Sequence, residues 1–250
     1  MEDSKQTAAK TAWIEKNVVE FQVSARNALF TDILTRTSGE KLSYCVPTYE
    51  AIKGIMQSIY WKPTIIWKIL DVRVMKPIYF EKKNVKYMDY NSSTPDLAHC
   101  TYLHDVCYQV RAAFEWNMNR PEMEKDRKAA KHLTIAKTWI EKGGRRDIFM
   151  GTRECQGYVE PCVFGEGESV YDHTGVIPLG LMEHGFTYPD EVFCEEDRNM
   201  ITLRLWNAVM ENGIIHFPQP EECDRSLMRS IRPAKMKKFG VKTEKEEETA

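Results

Sequence analysis

Two stretches with helical spacing interrupt a chain whose other apolar segments alternate as β-strands do. The first stretch follows Thr48, a residue type that caps helix N-termini, and Pro63 prevents its continuation. Its apolar residues recur at helical spacing: Ile52, Ile55, Met56 and Ile59. The second stretch runs from Ala129 to Ile140 with one apolar stripe, and it stops at Gly143 and Gly144.

Strand-forming segments surround these two helices in a definite order. Residues 18–23 alternate between the two faces of a strand, and 64–74, 102–116 and 155–164 are further predicted strands. A short strand is also predicted at 76–80, with a long polar connection over 82–95. The order strand, helix, strand, strand, helix, strand predicts an α+β fold, the ferredoxin-like or RNA-recognition-like split βαβ domain, over residues 18–164.

The last third of the chain has the pattern of a small antiparallel β subdomain over residues 165–220. Gly165 and Gly167 indicate a turn, a short strand is predicted near 176–181, and Asn212-Gly213 is a strong hairpin signal. We expect an N-terminal extension over residues 1–17 and a basic, then acidic, tail over residues 221–250.

The charge is distributed unevenly along a nearly neutral chain. The net charge is −2, but Lys125 to Arg146 contains eight basic residues against two acidic ones, and Arg225 to Lys238 contains six basic residues and no acid. Each cluster alone is typical of a solvated helix face or a tail, whereas two together favour an anionic partner modestly.

Composition and motifs exclude several classes of protein. A signal peptide and a long apolar run are absent, so we expect a soluble, cytoplasmic protein without a membrane partner. The seven cysteines form no CxxC pair and are expected to be reduced, and no metal-ligand spacing occurs. A P-loop, a dinucleotide fingerprint and a GxSxG elbow are also missing, so no cofactor and no metal are predicted.

One of the six histidines has neighbours suited to RNA cleavage. His132 follows Lys131 near a helix start, where backbone N–H groups favour phosphate. RNA carries its own nucleophile, the 2′-hydroxyl, so a proton-transferring histidine and a lysine near the phosphate suffice without a metal. The alternative is that His132 simply packs at the edge of the apolar stripe beside Trp139.

Longer blocks of sequence resemble a known family. The blocks are ALFTDILTRTSGEKLSYCVPTYEAIKGIMQSIYWKPT, VRVMKPI, GGRRDIFMGTRECQGYV and RLWNAVMENGIIHFP. They are similar, in matching order from Val18 to Pro220, to the subtype I-C (Dvulg) member of the fifth Cas family of CRISPR-associated proteins. Residues 1–16 and the tail after Glu221 depart from that pattern.

The resemblance implies a metal-independent endoribonuclease on a ferredoxin-like domain with a β extension. Such an enzyme cleaves precursor CRISPR RNA at the repeat hairpin by 2′-hydroxyl attack, leaving a 2′,3′-cyclic phosphate and a 5′-hydroxyl. By motif, its catalytic residues fall on Tyr60, Lys131 and His132. Its glycine-rich RNA-binding loop falls on Gly143, Gly144 and Gly151 around Arg145 and Arg146, with Lys62 and Arg153 as further phosphate candidates. The alternative for this segment is a helix C-cap with solvated arginines.

The resemblance also implies partners. The protein would keep the 5′ handle of the guide RNA and act beside the backbone subunit of the seventh Cas family and the large subunit, meeting target DNA only indirectly. The alternative is a subunit that caps the 5′ handle without cutting. A third interpretation, a metabolic enzyme on the same fold, predicts no affinity for hairpin RNA.

Overall fold

A computed structural model describes residues 16–36, 40–88, 94–188 and 199–231. In these ranges, eleven strands form one hydrogen-bonded sheet, accompanied by two α-helices and two short 3₁₀ helices. The strands are β1 (Val18–Ala28), β2 (Glu40–Leu42), β3 (Ile65–Val74), β4 (Phe80–Met88), β5 (Pro95–Trp116), β6 (Ile148–Phe149), β7 (Gln156–Pro161), β8 (Val176–Thr187), β9 (Ile201–Glu211), β10 (Ile214–His216) and β11 (Met228–Ile231). The helices are α1 (Tyr49–Ile59) and α2 (Ala129–Glu141), with 3₁₀ turns at Pro121–Asp126 and Arg225–Leu227.

The centre of the sheet has the strand order β7, β1, β5, β3, and every neighbouring pair in it is antiparallel. The alternation predicted for β1 is confirmed, since Val19, Phe21 and Val23 are buried in the main core. Both helices contribute to the same core, through residues such as Ile52 and Ile140. A mostly antiparallel sheet with few helices therefore agrees with the predicted class at this level.

Local sequence signals set the helix boundaries. The Thr48 hydroxyl accepts a hydrogen bond from the backbone N–H of Ala51 (3.2 Å), which confirms the predicted N-cap of α1. At the end of α2, Gly143 has a φ of +79°, and the Gly144 N–H donates to the Trp139 carbonyl (2.7 Å). The predicted helix stop at these glycines is confirmed.

The prediction for residues 76–95 was wrong. The strand expected at 76–80 is not formed, whereas the expected polar connection contains β4, which pairs with the first half of β5 from Phe80 opposite Leu103 to Met88 opposite Pro95. Most of β4 is exposed, so neither of its faces needs apolar residues and the period-two pattern is missing. Residues 89–93 lie outside the described residues.

The C-terminal strands join the same sheet. The predicted hairpin at Asn212-Gly213 is confirmed, with positive φ at both residues and Ile214 paired with Glu211. Strand β10 pairs with β3, and β11 pairs with β9, so Met228–Ile231 of the predicted tail forms a strand. The predicted extension over 1–17 and the rest of the tail lie largely outside the described ranges. In those ranges no helix has the length and apolar character needed to cross a membrane.

Candidate active site

The structure brings together two of the predicted catalytic side chains. The Tyr60 hydroxyl lies 2.8 Å from His132 Nδ1, although 72 positions separate the two residues. Tyr60 directly follows the last residue of α1, and His132 lies in the first turn of α2. The pair therefore forms where the end of one helix meets the start of the other.

The second ring nitrogen of His132 determines which way the proton points in this pair. His132 Nε2 lies 2.8 Å from the main-chain oxygen of Asp126, and a carbonyl oxygen can only accept. In the neutral imidazole, Nε2 therefore carries the hydrogen and Nδ1 holds a lone pair. It follows that the Tyr60 hydroxyl donates to Nδ1.

Both rings are removed from water. The exposed fraction is 0% for His132 and 2% for Tyr60. The edges of Phe114 and Trp116 enclose the imidazole, with ring centroids 6.1 and 5.7 Å away. Burial raises the pKa of the Tyr60 phenol, the Asp126 carboxylate raises it further, and the Arg145 charge opposes the rise. The phenol is therefore protonated at neutral pH, as its donation to His132 requires.

Main-chain contacts hold Tyr60 in place. Its N–H donates to the Met56 carbonyl (2.9 Å), and its own carbonyl accepts from Trp67 Nε1 (2.7 Å). Trp67 lies on β3 and is buried, so the end of α1 is attached to the sheet at this point. The Tyr60 backbone is therefore held at both its N–H and its carbonyl. Moving the ring away from His132 would disturb the core around it.

Lys131, the third predicted catalytic residue, reaches the same cluster through Asp126. Its ammonium forms an ion pair with Asp126 Oδ1, while Thr64 Oγ1 donates to Asp126 Oδ2 (2.8 Å). These two hydrogen bonds, with the Lys131 contact larger, lower the pKa of the Asp126 carboxyl. The Lys131 side chain is 47% exposed and the Asp126 side chain 29% exposed, so Lys131 is the most exposed member of the cluster.

Two members of this cluster were not found from the sequence. In the sequence, Asp126 is one acid among many bases, and Thr64 is the first residue of a predicted strand. An acid five residues before Lys131 is a weak signal, because it does not show that the 3₁₀ turn folds back on α2. The contact with Thr64 spans 62 positions and has no local signature.

The glycine-rich segment lies beside the end of α1. The Arg146 N–H donates to the Ser58 carbonyl (3.1 Å), two residues before Tyr60. Gly143 and Gly144 line a surface cavity of about 360 Å³ with the exposed Arg145 and Arg146. Positive φ at both glycines (+79° and +107°) allows the backbone to approach a ligand at a turn that side chains would crowd.

The remaining predicted RNA-binding residues are more dispersed. Lys62 is exposed two positions after Tyr60. Gly151 and the exposed Arg153 lie at the tip of the β6–β7 hairpin, where the Cβ of an alanine at 151 would come within 2.0 Å of the Leu29 carbonyl oxygen. Gly151 therefore allows the hairpin to pack against the end of β1, which is a structural requirement. Across the described ranges, three or more His, Cys, Asp or Glu side chains do not gather into a possible metal site.

Comparisons with known proteins identify the family. Residues 18–218 match the family described as CRISPR-associated protein (Cas_Cas5), in its Cas5d form. The chain is 50% identical over 208 residues to the CRISPR pre-crRNA endoribonuclease Cas5d of Mannheimia succiniciproducens, a match that covers 72% of this chain and 86% of that protein.

Solved structures give the same result. A crystal structure of a CRISPR-associated protein superposes with a TM-score of 0.66 at 33% identity, covering 85% of this chain and 96% of that chain. A protein from Streptococcus mutans, described as functionally uncharacterized, superposes with a TM-score of 0.66 at 34% identity and the same coverage. The family resemblance found in the sequence is confirmed, and the chain belongs to the Cas5d branch of the CRISPR-associated Cas5 family.

Proposed function

We propose that this protein is an endoribonuclease that cleaves precursor CRISPR RNA at the repeat hairpin and then stays bound to the 5′ handle of the guide. Its 50% identical relative is named as a pre-crRNA endoribonuclease, and in this chain two side chains of types that can transfer protons, Tyr60 and His132, lie within hydrogen-bond distance of each other. The observation that carries the proposal is the 2.8 Å contact between the Tyr60 hydroxyl and the lone pair of His132 Nδ1.

In the proposed mechanism the nucleophile is the 2′-hydroxyl of the RNA, and no metal takes part. The ribose must reach the Tyr60 hydroxyl through a local movement of the site, because Tyr60 is 2% exposed and His132 is 0% exposed. As the 2′-oxygen attacks phosphorus, its proton passes to the Tyr60 oxygen while the phenolic proton passes to His132 Nδ1. A phenol with a raised pKa needs such an acceptor, and general base catalysis of this kind contributes roughly 10²- to 10⁴-fold.

The bond that breaks joins phosphorus to the 5′-oxygen. The products are a 2′,3′-cyclic phosphate and a 5′-hydroxyl, whose proton comes from solvent while the imidazolium returns its proton to solvent. Lys131 stabilises the negative charge that develops on the non-bridging oxygens, and it has the exposure needed to leave Asp126 for phosphate. Neighbouring phosphates are bound by basic side chains and by exposed backbone. The side chains are those of Lys62, Arg145, Arg146 and Arg153, and the backbone is that of Gly143 and Gly144.

We further infer that β7, β1, β5 and β3 with α1 and α2 form a ferredoxin-like split βαβ unit. The antiparallel order β7, β1, β5, β3 and the chain order of the elements support this assignment. Residues 165–220 would be its β extension. In the cell the protein would act in the type I-C interference complex, with the seventh-family backbone subunit and the large subunit as partners.

One observation favours a second candidate function. Tyr60 and His132 are almost fully buried and Lys131 is ion-paired, as they would be in a packed cluster without chemistry. A protein of that kind would bind the 5′ handle and leave cutting to another subunit.

Cleavage in EDTA separates the two functions. The purified protein is incubated with an end-labelled repeat hairpin and with the same RNA carrying one 2′-deoxy nucleotide immediately upstream of the cut. We expect the first RNA to be cut to a cyclic phosphate end and the second to survive. Tight binding of several cognate repeats without cleavage would instead establish the capping function.

The variant Tyr60→Phe tests the proton path. It keeps the ring and removes the hydroxyl, so cleavage should fall by about 10²-fold or more while hairpin affinity is retained. Tyr158→Phe, at an exposed tyrosine beside the glycine loop, is the matched control and should cleave normally. Normal cleavage by Tyr60→Phe would remove Tyr60 from the mechanism.

A further inference from the structure

Asp126 is the point at which three members of the site meet. Its main-chain oxygen accepts from His132 Nε2 (2.8 Å), and its carboxylate accepts from Lys131 Nζ and from Thr64 Oγ1 (2.8 Å). The carboxylate also lies 3.6 Å from His132 Nε2. One residue at the end of the 3₁₀ turn therefore contacts both neighbouring catalytic candidates on α2.

Thr64 fixes the position of that residue from the sheet side. Thr64 is 1% exposed, directly precedes β3, and its carbonyl accepts from the Asn117 N–H (2.9 Å). The Thr64 hydroxyl is buried and donates a short hydrogen bond to the Asp126 carboxylate, and the rigid backbone around Thr64 holds this hydroxyl in place. Thr64 thus ties the 3₁₀ turn to the same stretch of chain that carries Tyr60.

We propose that Asp126 is the positioning residue of this active site, and that Thr64 holds it in place. The carbonyl of Asp126 fixes His132 in the tautomer whose Nδ1 faces Tyr60 with a lone pair, and the carboxylate holds the Lys131 ammonium beside that pair. The proposal deepens the proposed endoribonuclease function and rests on it for its kinetic test.

The physical argument concerns the alternative tautomer. If the Asp126 carbonyl moves away, His132 loses the 2.8 Å acceptor that favours hydrogen on Nε2, and the Nδ1–H tautomer becomes competitive. That tautomer donates to Tyr60 and cannot accept its proton. Losing the carboxylate also leaves the Lys131 side chain free to sample other rotamers, which removes a pre-organised cation.

The kinetic experiment uses substitutions at both positions. Asp126→Ala should lower the single-turnover cleavage rate by about 10²-fold, the effect of misplacing a catalytic group. Thr64→Val removes only the hydroxyl and should lower the rate by about tenfold, as expected for losing one hydrogen bond to a charged group. Thr64→Ser keeps the hydroxyl and should restore the rate.

Two controls distinguish positioning from general damage. Glu124→Gln removes one negative charge from the same 3₁₀ turn at an exposed position and should cleave as the unaltered protein does. The dissociation constant for the hairpin should change little in Asp126→Ala and Thr64→Val, so the loss should appear in the rate and not in binding. Melting temperatures identify any variant that fails to fold.

A spectroscopic experiment tests the proposal without any cleavage. In protein with ¹⁵N-labelled histidine, long-range ¹H–¹⁵N correlations show which ring nitrogen of His132 carries hydrogen, with the signal assigned by His132→Gln. We expect the Nε2–H tautomer in the unaltered protein and in Thr64→Ser, and mixed tautomers in Thr64→Val and Asp126→Ala.

The two experiments fail in different ways. If the unaltered protein does not cleave RNA, the proposed function is wrong, and the tautomer measurement alone decides the role of Asp126. If cleavage occurs but Asp126→Ala and Thr64→Val match the unaltered protein in rate, the positioning proposal is overturned. An unchanged Nε2–H tautomer in both variants would overturn it as well.

Discussion

Two buried histidines in this protein have the same hydrogen-bond pattern and different neighbours. His132 and His184 are both 0% exposed, and each places Nε2 within 2.9 Å of a main-chain carbonyl, that of Asp126 or that of Pro218. In each case Nδ1 receives a donor, which is the Tyr60 hydroxyl for His132 and Arg204 Nε (3.2 Å) for His184. The tautomer is therefore the same at both sites.

The donor decides what each histidine can do. Arg204 is a permanent cation that cannot give up a proton, and burial together with its charge lowers the pKa of His184 to about 3. His184 therefore stays neutral and serves as a hydrogen-bond acceptor. At His132 the donor is a phenol, which can transfer its proton, and the carboxylate of Asp126 lies 3.6 Å from the second ring nitrogen, Nε2.

The surroundings of His184 confirm that it is a structural site. Arg204 is 1% exposed and also contacts Thr187 and the Glu50 carboxylate (3.8 Å), while Tyr49 stacks on His184 with ring centroids 4.2 Å apart. These contacts join α1 to β8 and β9. The comparison teaches that burial and tautomer alone do not distinguish the two histidines, and that the proposed proton transfer at His132 depends on the chemistry of its Nδ1 partner.

The largest expected effect comes from exchanging the two histidines for glutamine. His132→Gln should lower cleavage by roughly 10²- to 10⁴-fold, because it removes the proton acceptor, and leave hairpin affinity nearly unchanged. His184→Gln should cleave at a normal rate per folded molecule. Single-turnover cleavage and hairpin binding are measured for both variants. Equal cleavage rates would show that the two histidines do not differ in their contribution to cleavage.

The next effect concerns stability, and it comes from removing the arginine that donates to His184. Arg204→Met should lower the free energy of unfolding by roughly 3–5 kcal/mol, because it leaves the buried partners of the guanidinium without their donor. Arg229→Met, at an exposed arginine on β11, is the matched control. Urea denaturation measures both, and equal stability of the two variants would show that the cluster does not hold the sheet to α1.

A smaller effect appears in the pH dependence of stability. The pKa of His184 is about 3 in the folded protein and near 6.5 in the unfolded chain, so the unfolded chain binds the extra proton between these values. The stabilisation is complete above pH 6.5 and is lost on acidification by up to about 1.4 kcal/mol per pH unit. Denaturation at pH 7, 6 and 5 should show this slope, and His184→Gln should lack it. Parallel curves would mean that His184 titrates normally.

The smallest effect concerns the affinity of the protein for hairpin RNA and the contribution of the glycine-rich loop beside Tyr60. Arg145→Gln should weaken hairpin binding severalfold and reduce the salt dependence of the dissociation constant by about one phosphate contact. Lys41→Gln, at an exposed lysine outside both basic clusters, should do neither. Binding titrations at several salt concentrations provide the test. An unchanged salt dependence in Arg145→Gln would mean that Arg145 in the glycine-rich loop does not contact an RNA phosphate.

Much of the secondary structure could be predicted because its causes are local. The capping hydroxyl of Thr48, the glycines after α2 and the Asn212-Gly213 turn act within a few residues of themselves. Strand β4 could not be predicted, since an exposed ribbon that pairs with β5 needs no apolar face and carries no period. The residue types of the site were predicted from the family motif, although their catalytic roles are still a proposal.

The sequence alone determined the order of the two helices and the four central strands, the family and the three candidate residues Tyr60, Lys131 and His132. Tertiary structure alone decided that Tyr60 donates to His132, that the Asp126 carbonyl sets the tautomer, and that the second buried histidine faces an arginine. The reason is physical. Periodicity and caps are properties of neighbouring residues, whereas a proton path depends on distances between side chains that only the packing of α1, α2 and the sheet brings together.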